Sequence, residues 1–103
     1  MTKQACPITD AARIIGNKWT LEMIYYLRDR QRFCELQENI GGVNPATLTQ
    51  RLKALESAGI VNRYAISGGP RHVEYELTEK GKDLLEIMST LAGWAQRWHP
   101  EAE

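Results

Sequence analysis

The sequence predicts a mostly helical α+β domain, and three observations lead to that prediction. The chain has 103 residues, the length of one domain, of which 43% are hydrophobic and 25% charged, as in ordinary globular proteins. Most of its apolar residues recur every three or four positions, the period of an amphipathic helix. Residues 72–77 instead alternate between apolar and polar side chains, the period of a strand. We expect a single domain over residues 1–103.

The first half of the chain predicts three helices. Pro7 suits the first turn of a helix that runs to about Gly16, because a proline there gives up only an amide without a partner. The run 18–30 is apolar on nearly all sides, which predicts a central second helix. A very short extended link at Arg32 and Phe33 then leads to a short third helix over residues 34–40.

The fourth helix has the strongest start signal. Gly41 and Gly42 end the preceding helix, and Asn44 followed by Pro45 combines a favoured N-cap with a favoured first helical residue. We expect this helix over residues 45–58. Three leucines fall on one face, at Leu48, Leu52 and Leu55. The opposite side is small or polar and holds Ala46, Gln50, Lys53, Ala54 and Ser57.

Two strands and a last helix complete the prediction. Residues 60–66 and 72–77 form a hairpin around the glycine-containing link 67–71, and Thr78 caps a helix that ends at about Trp98. The predicted order matches that of a winged helix-turn-helix: helix, helix, short helix, turn, capped helix and hairpin. The expected fold therefore has a two-stranded β-hairpin as its wing and a C-terminal helix available for dimerisation.

This fold predicts binding to double-stranded DNA through the fourth helix. Its polar side offers methyl groups, hydroxyls, an amide and a cation to base edges, from Pro45, Ala46, Thr47, Thr49, Gln50 and Lys53. Taken alone, such a face is also what any solvated helix shows, and the flanking turn and hairpin favour the DNA interpretation. Arg51 lies beside the leucine stripe, where it either braces neighbouring helices or grips a phosphate.

The hairpin is the second candidate DNA contact. Its basic, glycine-bearing tip can follow a phosphate backbone or enter a minor groove, although an ordinary exposed hairpin would look similar. The residues concerned are Arg63, Gly68, Gly69, Arg71 and His72. Net charge is zero, but residues 44–73 carry four Lys or Arg against one Asp or Glu, and residues 74–103 carry three against seven. The middle of the chain is thus the part suited to phosphates.

Several short motifs resemble the HxlR-type family of bacterial transcriptional regulators, which is similar to MarR-type regulators in its winged-helix plan. They cover residues 6 to about 98 and comprise Cys6-Pro7, GNKWT at 16–20, RFCEL at 32–36, TLTQRLKALE at 47–56, AGIV at 58–61 and VEYELTEKG at 73–81. Cys34 departs from the serine common in that family, and the turn 41–44 differs in detail.

The resemblance implies a homodimer on inverted-repeat operator DNA, with the helix from Pro45 as recognition helix and residues 67–72 as the wing. It also implies structural roles for Trp19 and Leu36. A cysteine at the position of Cys6 senses oxidants or electrophiles in some members. The start of a helix at Pro7 favours a thiolate at Cys6 on physical grounds as well. Its alternative role is that of a half-buried packing residue beside the dimer contact.

A dimer is also expected from the last helix itself. Its apolar residues form more surface than one small domain can cover, unless they make a single broad core face. The predicted interface consists of Ile8 on the first helix and Leu84, Met88, Leu91, Ala95 and Trp98 on the last. Two recognition helices would then meet major grooves roughly 34 Å apart.

The remaining signals exclude other classes of function. No nucleophile and base arrangement, phosphate loop or metal-ligand spacing is present, so we expect no catalysis, cofactor or metal. Without a signal peptide or an apolar run of roughly 20 residues, we expect a cytoplasmic protein and no membrane contact. Any small-molecule effector is unknown. The competing hypothesis is a winged-helix module that binds a protein or RNA.

Overall fold

The computed structural model describes residues 6–66 and 72–100. Within them, the elements in chain order are α1 (Pro7–Ile15), α2 (Thr20–Tyr26), β1 (Gln31–Arg32), α3 (Phe33–Ile40), α4 (Pro45–Ser57), β2 (Val61–Ala65), β3 (Val73–Leu77) and α5 (Glu79–Trp98). This order confirms the predicted mostly helical α+β class and the winged helix-turn-helix plan.

The sheet has one strand more than the sequence predicted. β2 and β3 form the expected antiparallel hairpin, with Val61 opposite Leu77. β1 pairs antiparallel with the other edge of β3, with Gln31 opposite Tyr75, so the strand order is β1-β3-β2. Two residues are too few to show a strand period, and this pairing depends on a segment far along the chain. The link before α3 is therefore a strand.

Helix α2 is shorter than the predicted run 18–30. Trp19 precedes it with a φ of 79°, a left-handed conformation that bulky residues rarely adopt, so Lys18 and Trp19 belong to the α1–α2 loop. The helix ends at Tyr26, because the chain then turns into β1. Its central position is confirmed, since Met23 and Ile24 are fully buried and α2 packs against both α3 and α5.

The core is continuous, and its buried residues come from α2, α3, α4, the two hairpin strands and the adjoining loops, while α5 packs against it with partly buried side chains. The predicted leucine stripe of α4 is confirmed, because it lies in this core at 2% exposure or less. The other buried members are Met23, Ile24, Leu27, Leu36, Val43, Ile60, Val61 and Leu77. The core therefore fixes which side of α4 remains open.

A tight joint connects the end of α4 with the start of α5. The Thr78 hydroxyl donates to the Gly59 carbonyl at 2.5 Å and accepts from the Gly81 amide at 3.1 Å. A Cβ atom at Gly81 would lie 2.3 Å from the Ile60 carbonyl oxygen, so only glycine fits. The first turn of α5 is thus held against the chain that leaves α4.

Candidate nucleic-acid interface

Helix α4 begins where the sequence predicts. The Asn44 side chain accepts a hydrogen bond from the Thr47 amide at 2.8 Å, and Pro45 occupies the first helical position. This cap satisfies one of the amides that every helix start leaves without a partner. The first residues of the candidate recognition helix are consequently fixed in position.

The two sides of α4 are sharply divided. The leucine stripe is buried, while Ala46, Thr49, Gln50 and Lys53 are exposed and Thr47 is half-buried. The exposed side chains are small or of medium length, so the backbone of α4 can approach a partner closely. A side of this shape and polarity fits a major groove about 12 Å wide.

Arg51 lies at the edge of the buried stripe and is half-buried. Its Nε donates to the Lys18 carbonyl at 3.0 Å, which links α4 to the α1–α2 loop. Of the two roles that the sequence left open for Arg51, the structure shows the contact that braces neighbouring elements.

On its other flank, α4 faces the hairpin. Thr49, Lys53 and Glu56 of α4 line a cleft of about 270 Å³ together with Arg63 of β2 and Tyr75 of β3. Two cations and one carboxylate thus surround this cleft.

The rest of the predicted wing is described only in part. His72 is exposed just before β3. Gly68, Gly69 and Arg71 lie outside the described residues. Among the described wing residues, Arg63 lies beside the candidate base-reading side of α4, across the cleft that it shares with Thr49 and Lys53.

The predicted dimer surface is only partly exposed. Leu84 and Met88 pack against the core of their own chain, and Ala95 is half-buried. Fully outward apolar side chains form instead a stripe that we call the α5 stripe, with exposures of 56% at Ile87, 44% at Leu91, 55% at Trp94 and 64% at Trp98. On α1, Ile8 is 76% exposed.

Sequence reasoning did not assign Ile87 and Trp94 to this surface. Their spacing could have found them, because the α5 stripe repeats at i, i+4, i+7 and i+11 and so stays on one line of the helix.

The family model for the HxlR-like helix-turn-helix matches residues 14–103 of this chain. The chain belongs to the HxlR-like family. Its described helices and strands fit that assignment, and within the described residues no helix is long and apolar enough to cross a bilayer.

Relatives and solved structures agree with this HxlR-like assignment. YtfH, an HTH-type transcriptional regulator of Escherichia coli K12, is 36% identical over 99 residues, which cover 95% of this chain and 79% of YtfH. The transcriptional regulator YodB from B. subtilis in its reduced form superposes with a TM-score of 0.79 at 31% identity, over 97% of this chain and 100% of YodB. The redox regulator HypR in its oxidised form superposes with a TM-score of 0.81 at 33% identity, over 89% of this chain and 96% of HypR. The HxlR-like chain is thus a transcriptional regulator of winged helix-turn-helix type.

Cys6 of this HxlR-like chain is exposed and immediately precedes α1. The nearby backbone amides of Thr9 and Ile8, and the Thr9 side chain, lower the pKa of its thiol below the ordinary value. These donors stabilise the thiolate, which is the reactive form. Cys34 is exposed on α3. Burial of Cys6 beside a dimer contact stays a prediction, since the thiol is exposed in the single chain.

Proposed function

We propose that this chain is a sequence-specific DNA-binding regulator that acts as a homodimer on inverted-repeat operator DNA and represses transcription by blocking polymerase. The observation that supports this most directly is the division of α4. A fully buried leucine stripe seats the helix, and its open side carries a methyl group, hydroxyls, an amide and one cation, from Ala46, Thr47, Thr49, Gln50 and Lys53. Such a helix can lie in a major groove with its side chains against base edges.

The proposed base contacts follow from the side chains of that face. The Gln50 amide can pair with the two hydrogen-bonding groups of an adenine, and the Lys53 ammonium can reach a guanine or a phosphate. Ala46 offers a methyl group to thymine, and Thr47 and Thr49 offer hydroxyls. Arg63 lies across the wing-side cleft from α4, where a phosphate backbone would pass.

The homodimer is supported by apolar surface that the single chain leaves open. The α5 stripe is continuous with a groove of about 610 Å³ between α2 and α5, whose walls are almost entirely apolar and include Tyr25, Met88 and Leu91. A solvated stripe of two tryptophans with Leu91 and Ile87 is typical of a protein interface. A second copy of the chain would cover it and give the assembly two recognition helices.

A selection of duplexes from a random pool tests the proposed function. We expect a palindromic consensus and an affinity that falls steeply with salt. Gln50→Ala should relax base preference at one position per half-site by about 1–3 kcal/mol. Gln96→Ala on α5 is the matched control and should leave the consensus unchanged. Failure to bind any duplex at low salt would contradict the proposal.

The same selection distinguishes the competing hypothesis. Preference for RNA over duplex DNA would favour an RNA-binding module. Capture of a protein with little dependence on salt, together with no retained duplex, would favour a protein-interaction module.

A second proposal concerns control of operator binding through Cys6. The exposed thiol and its lowered pKa support it, as do the relatives whose structures are described as redox regulator or reduced form. A quinone-bound structure of YodB is also known. With a quinone as the electrophile, we propose that the Cys6 thiolate adds to a ring carbon and a C–S bond forms. The ring takes up the electron pair and a proton and becomes a hydroquinone thioether.

Operator binding before and after quinone or diamide treatment tests this control. We expect treatment to change the affinity of the wild-type protein and to leave that of Cys6→Ser unchanged. Equal responses of the two proteins would reject a role for Cys6. Cys34→Ser serves as the matched thiol control.

A further inference from the structure

A second cleft borders α4 on the flank that faces away from the wing. It has a volume of about 420 Å³ and lies between α4, the end of α1 and the α1–α2 loop. Arg13 and Asn17 line one wall, and Arg51 and Ser57 of α4 line the other. The candidate recognition helix therefore has a cleft on each flank, and both contain cations.

The charge around this second cleft is positive. The residues that line it include Arg13 and Arg51 and no Asp or Glu. Lys18 is exposed on the α1–α2 loop and follows the lining residue Asn17 in the chain. Arg13 lies 3.5 Å from Asp10, but the two side chains are 74% and 54% exposed, so water screens this pair strongly. Among the described residues no carboxylate lies within 4.0 Å of Lys18 or Arg51. The site is therefore suited to an anion.

The α1–α2 loop is held in a fixed position relative to α4. Arg51 Nε donates to the Lys18 carbonyl at 3.0 Å, near the middle of the helix. The Lys18 ammonium lies 5.0 Å from the centre of the Trp19 ring. That ring lies against the turn before α4, since a Cβ atom on Gly42 would be 3.6 Å from it. The loop thus contacts both α4 and the turn that leads into it.

We propose that Arg13 and Lys18 bind backbone phosphates of duplex DNA on the side of the major groove opposite the wing, with Arg51 as the residue that positions their loop. This rests on the proposed function. A major groove is bounded by two phosphate backbones, so a helix inserted in it has one backbone along each flank. Lys53 and Arg63 serve the wing side, and Arg13 and Lys18 serve the other. Such contacts fix orientation without reading sequence.

The salt dependence of operator binding tests this assignment, with Lys18→Gln and Arg13→Gln as variants. Each removes one phosphate contact per protomer, so in the dimer the slope of log K against log salt should become shallower by about 2. Both should weaken binding to all duplexes alike and leave the selected consensus unchanged. Lys82→Gln on α5 loses the same charge and should keep the wild-type slope.

Arg51→Met tests the positioning role, because methionine keeps a long unbranched side chain but cannot donate to the Lys18 carbonyl. We expect a shallower salt slope for Arg51→Met and no further change when Lys18→Gln is added to it, because the loop contact is already lost. Additive changes in slope would reject the positioning role. If Lys18→Gln and Arg13→Gln keep the slope of Lys82→Gln while the wild type binds duplex, the phosphate assignment alone is overturned. If the wild-type protein binds no duplex, both the phosphate assignment and the proposed function are rejected.

Discussion

Helices α4 and α5 both carry an apolar stripe, but only the stripe of α4 is covered within the chain. The three leucines of α4 are exposed by 2% or less, whereas the four residues of the α5 stripe are exposed by 44–64%. In α5 the single fully buried residue is Gly81. Helix α4 thus buries its apolar stripe within the chain and exposes a polar side, whereas α5 leaves an apolar stripe exposed.

The difference indicates two kinds of partner. A polar side with short side chains gains little from burying apolar area, and its use lies in hydrogen bonds to a polar ligand such as DNA. Two exposed tryptophans and their aliphatic neighbours gain mainly from leaving water, which a second protein surface provides. Variants of the two stripes should therefore differ in how their effects depend on protein concentration.

The largest effect is expected for Leu52→Ala in the covered stripe. Removing this side chain from the core should lower the free energy of unfolding by about 2–5 kcal/mol through lost burial and a residual cavity. Chemical denaturation should show the loss at every protein concentration. Gln50→Ala on the open side of the same helix is the control and should change stability by about 0.5 kcal/mol or less. Equal losses in both would contradict the division of α4.

A smaller effect, visible only in the assembly, is expected for Leu91→Glu in the α5 stripe. A carboxylate in an apolar interface should weaken dimerisation by about 100-fold, which corresponds to about 2.8 kcal/mol. Sedimentation over a dilution series measures it. The monomer should fold normally, because Leu91 is already exposed in the single chain. Glu86→Gln, also on α5, should dimerise like the wild type. A dimer unaffected by Leu91→Glu would remove the α5 stripe from the interface.

The smallest effect is expected for Asn44→Ala at the start of α4. Loss of the hydrogen bond to the Thr47 amide should lower the free energy of unfolding by about 1 kcal/mol. Asn44→Ser can accept the same bond and should retain most of the stability. Thermal unfolding of the three proteins compares them, and an alanine variant as stable as the wild type would show that the cap contributes nothing.

Local signals were sufficient to predict most of the fold. The Asn44 cap with Pro45, the leucine spacing of α4 and the alternation around Tyr75 each act within a few residues, and the structure confirms the cap, the buried stripe and the strand. Burial along that strand does not alternate, because Glu74, Tyr75 and Glu76 are all half-buried. Features that depend on distant parts of the chain were missed. Strand β1 exists because Gln31 meets Tyr75, and no pattern in two residues announces that pairing.

The candidate site shows the same limit. The sequence separated the buried and open sides of α4, because helical period decides them. It left two roles for Arg51, because the choice depends on a carbonyl of the α1–α2 loop that only the folded chain brings near. It also grouped Leu84 and Met88 with Leu91, since helical spacing alone cannot tell which part of a broad apolar surface the core takes.

The joint at Thr78 and Gly81 bears on the architecture of the target site. It fastens the helix proposed to pair the subunits to the chain segment that leaves the helix proposed to read bases. Two recognition helices held this way would contact half-sites only at one separation and at one relative rotation about the DNA axis. A spacer longer by two base pairs turns one half-site by about 70° relative to the other. The regulator would therefore discriminate between operators by spacer length even where both half-sites are identical.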